Sequence, residues 1–258
     1  MYTKFIFLPL YNGLVGIMDL LPGIDVGVAV IIFTIIIRII LFPLSKSSLL
    51  TQVRMKEVEP EAAKIRAQYS TDKQQQALKI MELYKQKKIK PFSGILLLII
   101  QLPILLALIS VFYKIIPTID PTLLYSFISP PVVLPTLLGL DLTQKSIILS
   151  LITALAQYLQ MHFSVAMRQQ KSMAEETLRN GGTLDKASQL SHSMNKQMKF
   201  MLPVVAFAST YWLIPAQFPQ AASIIAIYWS VSAFATLLQE LYIRKKYLQS
   251  VKHIGNNV

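Results

Sequence analysis

The chain has 258 residues, a net charge of +12, 53% hydrophobic residues and a mean hydropathy of +0.50. It contains no cysteine, which excludes disulfides, thiolate nucleophiles, cysteine-ligated metals and anchoring through a lipidated N-terminal cysteine. The apolar residues form long uninterrupted runs instead of following a helical or strand period, so the composition indicates a membrane protein.

The first 25 residues are predicted to form an external amphipathic helix that lies flat on the membrane surface. Asn12, Gly16 and Asp19 fall on one face of that helix, and apolar residues fall on the other. The segment does not resemble a signal peptide, because Pro9 interrupts its apolar part and no A-x-A cleavage site follows.

Five apolar segments are predicted to span the membrane as helices. They cover residues 26–44, 92–113, 146–163, 200–214 and 221–242. A helix needs about 20 apolar residues to cross a bilayer, so the short fourth segment is expected to lean on its neighbours or on a thinned bilayer. Five prolines in residues 114–145 cannot sustain a helix, so this apolar stretch is predicted to be an external loop at the interface. Residues 215–220 form the second external turn.

Positive charge predicts the orientation. Residues 45–91 carry eleven Lys and Arg side chains, residues 164–199 carry six and the tail 243–258 carries four, whereas the opposite side carries three. Because short cytoplasmic segments retain Lys and Arg, the N-terminus is predicted outside and the basic C-terminal tail in the cytoplasm. The net charge then reflects topology, and no specific nucleic-acid partner is needed to explain it.

Residues 45–91 are predicted to form a cytoplasmic helical hairpin. Pro60 marks the start or a kink of its first arm, and Thr71 and Gln74 form a capping box that begins the second arm. Pro91 ends the second arm. Two capped amphipathic helices favour a mobile functional element over a passive linker.

Arg38 is the one charged residue well inside the first span. Burying an arginine beside lipid costs from about 2.5 to more than 10 kcal/mol, depending on the reference. Arg38 either extends to the cytoplasmic headgroups or faces a water-filled cavity open to the cytoplasm. The other spans favour the cavity, because they contain polar stripes and no acidic residue except Glu240 at the cytoplasmic end of the last span.

Two polar stripes repeat at the spacing of one helix face. The third span carries Ser150, Thr153, Gln157 and Gln160, and the fifth carries Trp229, Ser232, Thr236 and Gln239. Thr34 stands one turn before Arg38, and Gln101 lies in the second span. A single such residue more often joins two helices, but two complete stripes with a charge predict a hydrophilic groove.

These segments resemble the YidC/Oxa/Alb insertases, which help proteins enter membranes. The resemblance extends from PLYNGLV to LYIRKK and is carried by FTIIIRIILFPL, MELYKQKKIKPFSG, IIQLPILLAL, LGLDL with ITALAQYLQ, and MKFMLP with IYWSVSAFATLLQE. It implies an all-α fold with five transmembrane helices, a cytoplasmic hairpin and a groove closed to the outside but open to cytoplasm and lipid. Residues that match the family's groove positions are Arg38, Gln101, Gln160 and Trp229.

The resemblance implies a bacterial plasma-membrane insertase, without catalytic residues, metal or other cofactor, that receives nascent membrane proteins. Acidic or polar substrate tails would be attracted by Arg38, with Thr34, Thr153, Gln157 and Ser232 completing the groove. The ribosome, the Sec translocon and targeting factors are possible partners. Two alternatives stay open: an assembly chaperone or structural partner within a larger translocon, and, less favoured, a small transporter or channel. The absence of a Gly-rich phosphate loop and of an H-E-x-x-H motif argues against a nucleotide- or zinc-dependent enzyme.

Overall fold

The structure is a computed structural model that describes residues 2–90, 93–116, 118–164, 197 and 199–255. Nearly all of the described secondary structure is helical, which confirms the all-α fold class. The predicted second cytoplasmic loop, 164–199, lies almost entirely outside the described residues.

The described residues form nine helices and a two-stranded β-hairpin. The first helices are α1 (Leu8–Leu20), α2 (Val26–Ile40), α3 (Phe42–Glu57), α4 (Glu59–Gln68), α5 (Lys73–Gln86) and α6 (Ser93–Ile115). Strands β1 (Thr136–Leu137) and β2 (Leu140–Asp141) are followed by α7 (Ile147–Phe163), α8 (Lys199–Gln217) and α9 (Ala222–Gly255). A π-helical turn, Thr3–Phe7, precedes α1, and a second one, Ser209–Leu213, lies inside α8.

Two of the described helices are long and apolar enough to cross a membrane alone, namely α8 and the Ala222–Lys246 part of α9. Helices α2 and α3 meet this condition only as a pair broken at Leu41, which would make three spans. The apolar stretches Ile99–Ile115 and Ile147–Phe163 are shorter. The predicted count of five spans therefore stays a prediction. Helix α8 is longer than the predicted fourth span, and α9 continues well past the predicted end of the fifth.

The chain divides into two compact units. The first contains residues 1–40, 100–162 and 194–237, and the second contains residues 41–99, 163–193 and 238–258. The largest fully buried side chains belong to the first unit, and they include Tyr11, Leu14, Met18, Leu108, Phe112, Ile115, Leu142, Ile224 and Ile225. Helices α1, α6 and α9 thus supply most of the core of that unit.

Helix α1 buries one residue that its apolar period places on the polar face. Asn12 is only 2% exposed, and its amide donates to the carbonyls of Leu8 and Leu123, both at 2.9 Å. Its Oδ1 accepts from the Tyr125 backbone N–H at 2.7 Å. The prediction of a solvent-facing Asn12 was wrong, because its partners lie in a loop more than 100 residues away that covers this face of the helix.

That loop, residues 118–145, is not helical apart from a short 3₁₀ turn at Pro121–Leu123. It is held on α1 and α2 by several hydrogen bonds. The Asp120 N–H donates to the Tyr11 hydroxyl at 2.9 Å, and the Ser129 N–H donates to the Asp19 carboxylate at 3.3 Å. Irregular backbone is therefore fixed here by side chains of the first two helices.

In the second unit, α4 and α5 pack against each other as a helical hairpin. Its small core contains Val58, Ala62, Leu83, Tyr84 and Ile89. Burial raises the pKa of the Tyr84 phenol above its usual value.

The N-cap of α5 differs from the predicted capping box. Asp72 is the cap, and its carboxylate accepts from the N–H groups of Gln74 and Gln75, both at 3.0 Å. Asp is as good an N-cap as Thr, so the helix starts one residue later than the Thr71 prediction.

Candidate functional site

Arg38 lies in the last turn of α2, close to the point where this helix ends at Ile40. Its side chain is partly buried, whereas the next two residues, Ile39 and Ile40, are 65% and 69% exposed. One turn earlier, Thr34 is completely buried, and its hydroxyl donates to the Val30 carbonyl at 2.6 Å. Arg38 therefore sits at the edge between the buried face of α2 and its apolar exposed face.

A hydrogen bond joins α6 to α9 within electrostatic range of Arg38 of α2. The Gln101 amide of α6 donates to the Tyr228 hydroxyl of α9 at 2.9 Å. Tyr228 is 3% exposed, packs its ring against Phe112 with centroids 6.3 Å apart, and lies within electrostatic range of the Arg38 guanidinium. We call Arg38, Gln101 and Tyr228 the groove cluster.

Tyr228 was missed by the sequence analysis. It stands directly before the predicted groove residue Trp229 but was not named as a groove residue. The signal that could have found it is chemical: a buried phenol needs a hydrogen-bond partner, so a tyrosine deep in a span indicates a polar neighbour.

Thr153 joins α7 to α9 and does not face open space. Its hydroxyl is completely buried and lies 2.8 Å from the Leu149 carbonyl, 3.0 Å from the Ala226 carbonyl and 3.0 Å from the Ser230 hydroxyl. The Ser230 hydroxyl donates to the same Ala226 carbonyl at 2.8 Å. This small network has the geometry of the hydroxyl contacts that hold membrane helices together.

The rest of the α7 stripe changes character along the helix. Ser150 is buried, and its hydroxyl donates to the Ser146 carbonyl at 3.0 Å. Gln157 and Gln160, two and three turns further on, are partly exposed. The N-terminal part of the stripe is therefore buried, whereas its C-terminal part is an accessible polar surface.

The α9 stripe shows a similar contrast. Trp229 is partly exposed, while Ser232, three residues later, is only 5% exposed. The Ser232 Oγ has no hydrogen-bond partner within the described part of the chain. The Thr236 hydroxyl donates to the Ser232 carbonyl at 2.8 Å, so it serves the helix backbone. Buried hydroxyls are normally bonded, so the Ser232 hydroxyl is an exception within the described part of the chain.

The accessible surface beside these polar groups is strongly apolar. One face of α7 exposes several large aliphatic side chains: Ile147, Ile148, Leu151, Ile152 and Leu155. Among the described residues no group of His, Asp or Glu side chains could hold a metal ion. Helix α7 therefore carries both partly exposed polar side chains, Gln157 and Gln160, and a strongly apolar exposed face.

A sequence model of the 60Kd inner membrane protein family matches residues 17–250, which is most of the chain. A relative named membrane protein insertase YidC, from Fusobacterium nucleatum subsp. nucleatum, is 30% identical over 223 residues, covering 85% of this chain and 86% of the relative.

Two further relatives with the same name match over shorter stretches. The one from Clostridium tetani is 39% identical over 120 residues, which cover 46% of this chain and 54% of that protein. The one from Ruegeria sp. is 37% identical over 114 residues, which cover 43% of this chain and 17% of that protein. Because the family model and the F. nucleatum relative both extend over most of the chain, this protein belongs to the 60Kd inner membrane protein family, the YidC/Oxa/Alb membrane proteins.

Proposed function

We propose that this protein is a membrane protein insertase of the bacterial inner membrane, and that its substrates pass along a groove centred on Arg38, Gln101 and Tyr228. The family and the printed name of its bacterial relatives support insertase activity. The observation that supports the groove is the hydrogen bond from the Gln101 amide to the Tyr228 phenol, with the Arg38 guanidinium within electrostatic range of that phenol.

The side chains predicted to line the groove divide into two proposed roles. Arg38, Gln101, Gln157, Gln160 and Trp229 are partly exposed and can contact a passing chain. Thr34 and Thr153 are completely buried: the Thr34 hydroxyl bonds within its own helix, and the Thr153 hydroxyl joins α7 to α9. Ser232 differs from both groups, since its hydroxyl is buried and has no partner in the described part of the chain; we assign it to the substrate path.

In the proposed mechanism the acidic or polar tail of a nascent membrane protein enters from the cytoplasm. The positive charge of Arg38 attracts its carboxylates, and the amides and hydroxyls of the groove replace part of their hydration. The following apolar segment moves along the exposed aliphatic face of α7 into lipid. Burying about 20 apolar residues, at about 25 cal/mol per Å², supplies the driving force without a nucleotide.

The orientation and the larger assembly are part of this proposal. The N-terminus lies outside and the C-terminus in the cytoplasm, as the distribution of Lys and Arg predicts. The lipid bilayer and nascent membrane proteins are the partners that the family implies. Contacts with the ribosome, the Sec translocon and targeting factors stay predictions.

The test is reconstituted insertion of a single-span substrate with an acidic N-terminal tail. Arg38→Ala should reduce insertion about tenfold, equivalent to about 1.4 kcal/mol, and Arg38→Lys should retain most of it. A substrate whose tail carboxylates are changed to amides should lose this dependence. Ile39→Ala is the matched control, because it alters an exposed neighbour on the same turn.

Equal insertion by Arg38→Ala and the unaltered protein would remove Arg38 from the mechanism. That result would favour the second reading, in which the protein acts as an assembly chaperone through its exposed apolar faces.

A further inference from the structure

The β-hairpin of residues 136–141 has an unusual residue at its tip. Its strands pair Thr136 with Asp141 and Leu137 with Leu140, so Leu138 and Gly139 form a two-residue turn. Both turn residues have positive φ, 50° and 84°. Hairpin turns of this kind favour Asn-Gly, because a bulky L-residue rarely adopts positive φ.

The side chain at this tip faces away from the protein. Leu138 is 87% exposed, the largest exposed fraction among the described large hydrophobic residues, and Leu140 beyond the turn is 42% exposed. In water, an Asn at this position would be better both for the backbone and for solvation. Leu138 is unfavourable in water in two ways, through its positive φ and through its exposed apolar side chain. This combination indicates that its environment is not water.

The tip is fixed to the beginning of α2. The Asp25 carboxylate accepts from the Thr136 hydroxyl at 2.7 Å and from the Leu138 N–H at 2.9 Å. Leu137 packs directly on Gly27, where a Cβ atom would lie only 2.6 Å from the Leu137 Cβ. An interaction that fixes the position of Leu138 therefore also fixes the position of this end of α2.

Helix α2 alone is shorter than the hydrocarbon core of a bilayer, so an apolar tip fixed to its end can extend its hydrophobic length. Fifteen helical residues extend about 22 Å, whereas the hydrocarbon core of a bilayer is about 30 Å thick. The apolar hairpin adds hydrophobic surface at the end of α2 opposite to Arg38. Arg38 follows Asp25 by 13 residues, which places it about 20 Å along the helix axis from the hairpin.

We propose that the Leu138 tip inserts into the lipid of the outer leaflet and thereby sets the depth of α2, and with it the depth of Arg38. The Leu138 side chain then lies at the boundary between the lipid headgroups and the acyl chains. The Asp25 carboxylate acts as a positioning group, because it transmits the position of the tip to the helix. The choice of the outer leaflet rests on the topology given in the proposed function, but the insertion of the tip into lipid does not.

The absence of cysteine allows a direct measurement of depth. A nitroxide label is attached to Leu138→Cys in the full chain, reconstituted into vesicles of phosphatidylethanolamine and phosphatidylglycerol. Collisions with oxygen, which concentrates in lipid, are compared with collisions with a water-soluble nickel chelate. Ser129→Cys is the control, because it is an exposed polar position of the same loop whose backbone stays bonded to Asp19.

We expect the Leu138 label to be more accessible to oxygen and the Ser129 label to be more accessible to nickel. Equal, nickel-dominated accessibility at both positions would overturn the proposal. A Leu138 label that is aqueous in these vesicles but shielded in native membranes would also overturn it and would assign the tip to a protein partner. The readout requires no insertion activity, so its failure is distinct from a failure of the proposed function.

A second measurement tests the coupling to α2. A label at Ile39→Cys, next to Arg38, reports the depth of that end of the helix. Leu138→Asp also suits positive φ but must reach water, so it should lift α2 and move the Ile39 label toward the bilayer centre. Asp25→Asn should weaken this effect, since it loosens the tip from the helix. An unchanged Ile39 depth in Leu138→Asp would contradict the depth-setting role.

Discussion

The first unit contains two groups of polar side chains that differ in how completely they are bonded. Where the loop 118–145 meets α1 and α2, Asn12 and Asp25 each make two or more hydrogen bonds to distant loop residues. At the groove cluster, Gln101 bonds to Tyr228 but remains partly exposed, and the hydroxyl of nearby Ser232 has no partner in the described part of the chain.

This difference separates structure from function. A buried polar group with all its bonds made fixes the backbone, and its removal leaves buried partners unsatisfied. A polar group at an accessible surface can exchange one partner for another at little cost. We therefore expect substitutions in the loop-anchoring residues to lower stability, and substitutions in the groove cluster to lower insertion.

The largest effect is expected at Asn12. Asn12→Leu removes three hydrogen bonds and leaves the Leu123 carbonyl and the Tyr125 N–H without their partner, so the free energy of unfolding should fall by about 3 kcal/mol. Thermal unfolding in detergent micelles measures this loss. Tyr11→Phe is the graded control, since it removes one bond, to the Asp120 N–H, and should cost about 1 kcal/mol. If Asn12→Leu were as stable as the unaltered protein, the loop would not be anchored as described.

The opposite pattern is expected at Tyr228. Tyr228→Phe keeps the ring packing against Phe112 but removes the hydroxyl that accepts from Gln101. Because the Gln101 amide is partly exposed and can bind another partner, stability should change by less than about 0.5 kcal/mol. Insertion of the acidic-tail substrate should fall about fivefold, or about 1 kcal/mol. A large loss of stability with normal insertion would place Tyr228 among the structural residues.

A smaller effect is expected at Thr153. Thr153→Val removes the hydroxyl between α7 and α9, but Ser230 still donates to the Ala226 carbonyl. The expected loss is about 0.5–1 kcal/mol of stability, typical of one hydrogen bond, with unchanged preference for acidic tails. Thermal unfolding and the insertion assay are compared on the same preparation. A selective loss of acidic-tail insertion would instead return Thr153 to the groove surface.

The smallest effect is expected for the stability of the loop 118–145 at acidic pH. Hydrogen bonds from the Thr122 and Thr143 hydroxyls lower the pKa of the Asp120 and Asp141 carboxyls below the usual 3.8. The ionised carboxylates therefore stabilise the folded loop above pH 3.8, and this contribution is lost as the pH falls through the lower folded values. The mobility of a nitroxide at Ser129→Cys should rise only in that acidic range.

The double variant Thr122→Val/Thr143→Val is the control for this pH effect. It removes the hydroxyl bonds, so the acid-induced change should begin at a higher pH. An unchanged midpoint would show that the two hydroxyls do not hold the carboxylates.

Much of this arrangement could be predicted from the sequence, because periodicity reports which residues share a helix face. It placed each of the two polar stripes on one helix face, while the apolar runs placed Arg38 and Gln101 on helices and the five prolines identified the loop as non-helical. Periodicity does not report which polar groups are already bonded. Thr153 and Gln157 lie on one stripe, yet one joins two helices and the other is partly exposed.

The failures have the same origin. Asn12 was assigned to the polar face because its partners, Leu123 and Tyr125, are far away in the sequence. The N-cap of α5 was assigned to Thr71 because the capping-box pattern fits there, whereas the adjacent Asp72 makes the bonds. The break between α2 and α3 at Leu41 was not predicted, since the apolar run continues through it.

The central claim is that a substrate reaches α9 at Ser232, one turn after Tyr228, and does not reach its loop end. Two serines of α9 test it directly, because Ser232→Cys and Ser223→Cys are nearly isosteric changes at buried positions of one helix. The Ser223 hydroxyl donates to the Gln144 carbonyl, whereas that of Ser232 has no partner in the described residues. Labelling by a small water-soluble thiosulfonate is measured with and without an arrested acidic-tail substrate. We expect labelling at Ser232→Cys that the substrate blocks, and none at Ser223→Cys. Equal labelling at both positions, or labelling at Ser232→Cys that the substrate leaves unchanged, would contradict the account.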